Sequence, residues 1–178
     1  MKETARNVFR QLGVIAIAVL VTGMATGGET GNNLLNNQGI GKGPNKWNLW
    51  RAKPVRKAVT YSYENGVYRI VNPSASMVHH IQLLDAVDLE AGTTYRFSFE
   101  AKAEQTPAKI RVAYSQQKKP FNKYGLADDA EVGTEWETLI FNFMAESQAA
   151  DNPGVIRVFL GETAGGILLR NFELTEAE

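Results

Sequence analysis

Cysteine is missing from the chain, which excludes a disulfide framework, a thiolate nucleophile and a Cys-ligated zinc site. A surplus of positive charge is missing too. Lys plus Arg and Asp plus Glu both number 19, so there is no excess to neutralise a run of phosphates and nucleic acid is a poor candidate partner. No stretch reaches the roughly 20 apolar residues that a bilayer-spanning helix needs; Leu12 to Ala25 is interrupted by Gly13, Thr22 and Gly23. Helical periodicity is sustained nowhere, no internal repeat is seen, and no Ser or His nucleophile motif appears. The remaining composition, 44% hydrophobic and 21% charged over 178 residues, is that of one ordinary globular domain held together by packing.

The first 25 residues read differently from the rest. Lys2, Arg6 and Arg10 form a basic leader opposed only by Glu3, an apolar run follows, and Gly23 and Ala25 are small residues at a spacing suited to a signal peptidase. This predicts a signal-peptide helix over 1–25, and hence a secreted or periplasmic protein with no membrane contact after cleavage. Losing three basic residues and one acid leaves 16 basic and 18 acidic, a formal charge of about −2. Residues 26–32, rich in Gly, Thr and Asn, read as a flexible lead-in to a domain over 33–178.

From Leu34 onward, short runs alternate with period two and are separated by turn residues at intervals near ten. In Thr94 to Ala101, Tyr95, Phe97, Phe99 and Ala101 face one way and Arg96, Ser98 and Glu100 the other. Ile110, Val112 and Tyr114 alternate with Arg111, Ala113 and Ser115; Leu139, Phe141 and Phe143 alternate with Ile140, Asn142 and Met144. Further strands are expected at Ala58 to Tyr63, Gly66 to Val71, His79 to Leu84, Val155 to Leu160 and Gly166 to Leu174. Turns are expected at Glu64-Asn65-Gly66, Glu90-Ala91-Gly92, Asp128-Asp129 and Asn152-Pro153-Gly154. The pattern predicts an all-β jelly-roll sandwich of two antiparallel sheets.

Several segments then stand in a recognisable order: Asn33-Leu34-Leu35 with Asn37; Gln82-Leu83; Val87 through Tyr95 running into Phe97 to Ala103; Thr134-Glu135-Trp136-Glu137 before Phe141-Asn142-Phe143; and Ile156 to Gly161 with a closing strand Ile167 to Leu174. In this order the chain resembles carbohydrate-binding modules of the family 4 and 9 type, which have a galactose-binding-like jelly roll and are appended to secreted glycanases. The resemblance implies non-catalytic binding of a polysaccharide, β-glucan or xylan-like, with glycanases acting on the same substrate as possible partners. It also implies a structural calcium site, to which a Phe-Glu pair after the opening Asn and an Asp pair near the last strand contribute. Ile40-Gly41 and Arg170-Asn171 stand there instead, so hard oxygen ligands are replaced and no metal or other cofactor is expected.

Sugars offer apolar C–H faces ringed by hydroxyls, so a sugar site needs aromatic platforms beside amides or charged groups. Trp47 and Trp50 lie in a polar, Gly- and Asn-rich stretch and are the candidate platforms; the alternative is that one of them plugs the end of the sandwich. Gln82 stands where the family has a ligand-contacting Gln, and His80 is expected to share its face. Gln116 and Tyr124 border a loop, Lys118 to Gly125, that resembles the family's cleft-side loop, with Phe121 and Gln117 beside it. Tyr61 and Tyr63 are candidates for the concave face, and Trp136 is expected in the core. Two other classes fit parts of the pattern. A secreted jelly-roll glycanase or lyase would need two carboxylates across a cleft, whereas the acids here fall mostly in expected turns and the tail. A structural surface protein that has lost sugar binding would retain the sandwich alone.

Overall fold

The computed structural model describes residues 32–35, 40 and 46–177; the expected signal peptide, most of the lead-in, Asn37 and Gly41 lie outside these. The described chain forms ten strands: β1 Asn48–Arg51, β2 Thr60–Glu64, β3 Val67–Asn72, β4 Ile81–Ala86, β5 Thr94–Ala103, β6 Ala108–Gln116, β7 Lys123–Val132, β8 Glu137–Met144, β9 Gly154–Phe159 and β10 Gly165–Glu176. They make two antiparallel five-stranded sheets, β1-β4-β9-β6-β7 and β2-β3-β10-β5-β8. The expected all-β sandwich is borne out.

Period-two alternation builds the core, because alternate side chains of each strand point between the sheets. Ile81 and Leu83 of β4, Ile156 and Val158 of β9 and Ile110, Val112 and Tyr114 of β6 are buried against Phe97, Phe99, Phe141 and Leu169 of the other sheet. Phe172 is central to the aromatic part of this core: its ring lies 4.6 Å from Trp47 and 5.0 Å from Phe99. Aromatic pairs of this kind add about 0.5–1.5 kcal/mol each beyond area burial.

Two strands escape the sequence pattern. β1 is only four residues long, and β7 carries Asp128 and Asp129, which form part of the strand and not a turn. β7 is the edge of its sheet, where acids remain solvated at no burial cost. Gly125 lets this strand pass against the end of β8: it sits at φ +111°, and a Cβ there would collide with the Met144 carbonyl oxygen. The expected strand at His79 to Leu84 starts two residues later, because Val78–His80 form a short 3-10 turn. Trp136 is not core. It is half-buried at the start of β8 with the Arg170 guanidinium 4.1 Å from its ring centroid.

Candidate functional site

The side chains of the β1-β4-β9-β6-β7 sheet that point away from the core form rows across the strands. Register places Trp50, Gln82, Phe159, Arg111 and Asp129 in one row. The next runs Asn48, Leu84, Arg157, Ala113 and Ala127. Trp50 is 39% exposed, while Gln82 and Arg157 are buried in the floor and Leu84 and Phe159 are half-buried beside them.

Arg157 organises this floor. Its Nε donates to Ser115 Oγ at 2.8 Å, Nη1 to Gln82 Oε1 at 3.0 Å, and Nη2 to the carbonyls of Gln116 at 2.8 Å and Gln117 at 3.3 Å. Desolvation on burial lowers its pKa, yet a guanidinium stays charged at any ordinary pH. Gln82 is fixed at both ends, since its Nε2 also donates to the His79 carbonyl at 2.7 Å. These bonds leave the amide one N–H and one oxygen lone pair to offer a ligand hydroxyl.

Phe121, 48% exposed, roofs this floor from the β6–β7 connection, its ring centroid 5.4 Å from the Arg157 guanidinium carbon. It occupies the left-handed region at φ +63°, a costly conformation for a bulky residue that surrounding contacts must hold. The contacts are present. Lys118 N donates to Asn152 Oδ1, Asn152 Nδ2 donates back to the Lys118 carbonyl, and Asn122 N donates to Gln116 Oε1. Tyr124 supports the adjoining turn, its hydroxyl donating to the Asn152 carbonyl at 2.9 Å and accepting from Ala149 N at 3.0 Å. Trp50 on β1 and Arg157 on β9 are two strand spacings apart, roughly 10 Å, so aromatic surfaces flank a polar floor. A small hollow elsewhere, lined by Ile70, Asn72, Thr106, Lys109, Thr163 and Ile167, has no aromatic among its lining residues; we place the site on the open face instead.

Such an arrangement suits a sugar chain, with rings stacking on the aromatics and hydroxyls meeting the polar floor. The family comparison agrees: the carbohydrate-binding domain family of types 4 and 9 matches residues 32–165. The chain belongs to this family. A solved structure presented as "CBM4 structure and function" is 27% identical, covers 82% of this chain and 95% of its own, and superposes with a TM-score of 0.66. The second N-terminal cellulose-binding domain of a Cellulomonas fimi β-1,4-glucanase C shares the fold at 19% identity and TM-score 0.64, covering 84% and 97% of the two chains. A family 11 carbohydrate-binding module from Clostridium thermocellum, solved with a mixed-linked β-1,3-1,4 tetrasaccharide, does so at 14% identity and TM-score 0.54, covering 84% and 98%. No curated protein matches the chain.

The expected site residues divide in this carbohydrate-binding module. Trp50 and Gln82 meet on the open face. Trp47 is fully buried against Phe172 and is no platform; Tyr124 is buried as well and acts by bracing the turn. Gln116 is buried and pins the loop. Tyr61 and Tyr63 are exposed but pair with Ile70 and Tyr68 on the inward-facing side of the other sheet, so they stand at its lip and not on the face holding Trp50. Tyr61 carries the Arg51 guanidinium 4.9 Å from its centroid, and Tyr63 packs 4.7 Å from Tyr68. His80 lies in the 3-10 turn, where strand alternation does not apply. Its ring is edge-on to His79, and its buried Nδ1 has no hydrogen-bond partner among the described residues.

Arg157, Phe159, Ser115 and Leu84 were not anticipated. Arg157 did leave a signal: Val155, Arg157 and Phe159 alternate with Ile156, Val158 and Leu160, and a lone cation in so apolar a strand needs partners. The family's calcium does not fit the residues present near β10. Arg170 and Asn171, which stand where the resemblance implies an Asp pair, donate to Glu100 at 2.6 Å each and offer no carboxylate to a hard cation. Among the described residues no three His, Cys, Asp or Glu cluster in a way that could hold a metal ion.

Proposed function

We propose that this protein is a secreted, non-catalytic module that binds a β-glucan or xylan-like polysaccharide along the face of the β1-β4-β9-β6-β7 sheet, near glycanases acting on the same material. Family membership supports carbohydrate as the ligand class. The observation that carries the site is exposed Trp50 beside the Gln82–Arg157 floor. Stacking on Trp50 and Phe121 supplies affinity, and the oriented floor selects hydroxyl positions. A hydrolytic reading finds little support on the face. Asp129 and Glu131 stand on β7, three strands from Gln82 on β4 and two from Arg157 on β9. Asp129 is tied to Arg111, whose hydrogen bonds hold its carboxyl below the usual range, which is the reverse of what a general acid needs. The test is affinity electrophoresis through soluble β-glucan and xylan. Trp50→Ala should lose most of the retardation while keeping the native melting temperature; retardation equal to the parent's would remove Trp50 from the site.

A further inference from the structure

The charge on this face has a direction that ring stacking alone does not explain. Arg157 is 7% exposed, and the ion pairs found among the described residues, Arg69–Glu104, Arg111–Asp129 and Arg170–Glu100, do not include it. Its acceptors are a hydroxyl, an amide and two carbonyls. These neutral oxygens accept four hydrogen bonds from a group with five N–H donors and bring no negative charge, and a buried cation with no counter-ion among the described residues is unfavourable.

The neighbouring side chains add to this charge. Lys123 pairs in register with Ser115, which itself binds Arg157. Lys118 and Lys119 occupy the connection that carries Phe121, and all three lysines are exposed. Of the acids on and near this face, Asp129 is ion-paired with Arg111, Glu131 stands opposite Lys109 in register, and Glu162 also acts on Arg111. Asp151 is the exposed acid in the adjoining turn. A cationic floor and rim thus stand out on a chain with no basic surplus.

We propose that the ligand of this face is an acidic glycan, a chain bearing uronate carboxylates, one of which lies within reach of the Arg157 charge and the rim formed by Lys118, Lys119 and Lys123. The proposal rests on the sugar-binding reading of the same face and names the ligand's chemical class. A carboxylate brings the missing counter-charge without disturbing the bonds that hold the guanidinium, and the partly desolvated face strengthens the attraction relative to bulk water.

The experiment compares retention of the full-length protein on glucuronoxylan and on polygalacturonate, each beside the same polymer after carboxyl reduction, across a salt series. At low salt the acidic form should be held about tenfold more tightly than the reduced form. The difference should vanish near 1 M salt, where the screening length is roughly 3 Å. Arg157→Gln should shrink this ratio. Because that change touches a buried network, the exposed triple variant Lys118→Gln, Lys119→Gln, Lys123→Gln provides a second reading and should shrink it as well. Equal retention of acidic and reduced polymers, or a ratio unchanged in both variants, overturns the acidic-ligand proposal and leaves sugar binding standing. Retention of none of these polymers, nor of neutral glucan or xylan, removes the sugar reading itself.

Discussion

Trp47 and Trp50 stand three positions apart, and on a strand an odd separation sends two side chains to opposite faces. Leu49 and Arg51 of β1 point inward with Trp47, while Asn48 and Trp50 point out. Mutation should separate the two roles. Trp47→Ala opens a void beside Phe172 in the core and is expected to cost about 3–5 kcal/mol of stability, read as a lowered urea midpoint. Trp50→Ala, at an exposed position, should stay within about 1 kcal/mol of the parent. Equal midpoints for both would contradict the burial of Trp47. The same parity explains why composition misled at this point: a polar, Gly-rich stretch reads as loop, and two tryptophans in a loop look alike. Only the strand register, invisible in four residues, distinguishes them.

At the scale of elements, strands with clean alternation were legible, the edge strands β2 and β8 among them, and β1 and β7 were not. β5 alternates Tyr95, Phe97, Phe99 and Ala101 with polar residues, and β8 alternates Leu139, Phe141 and Phe143 with its outward side chains, so their faces follow from the sequence. β7 does not, because Asp128 interrupts the apolar face that Tyr124, Leu126, Ala130 and Val132 would otherwise make continuous. β10 has an irregularity of its own: its register against β5 shifts between Arg170 and Glu173, with Asn171 at φ +53°. This bulge returns Phe172 to the core and holds Arg170 and Asn171 against Glu100. Burial raises the Glu100 pKa, but hydrogen bonds from Asn171 and Arg170 outweigh it and the net shift is downward from 4.5. A depressed folded-state value means that the carboxylate's contribution is present above its unfolded pKa and is lost as pH falls through the folded one. Lowering the pH from about 5 towards 3 should therefore destabilise the parent more than Glu100→Gln, whose own loss at neutral pH is nearly pH-independent. Parallel melting curves for the two proteins across that range would show that the cluster does not act this way.

For the whole molecule, the closure of the sandwich bears on whether a metal is needed. The entry segment is tied to the last strand by protein groups. Asn33 Nδ2 donates to the Phe172 carbonyl at 2.9 Å, and its Oδ1 accepts from Leu174 N at 3.0 Å and Leu35 N at 3.1 Å. Leu34 N adds a bond to the Leu174 carbonyl at 2.9 Å. Between β10 and β5 a guanidinium and an amide meet the Glu100 carboxylate. A calcium ion at a hundredfold its dissociation constant would add about 2.7 kcal/mol, which in a domain of this size raises the melting temperature by about 5–10 °C. We expect melting in excess chelator and in millimolar calcium to agree within about 1 °C, because the ties named here, among the described residues, are hydrogen bonds and an ion pair, which a chelator does not remove. A chelator-dependent drop of several degrees, restored by calcium, would mean that the chain keeps a metal site built from other oxygens.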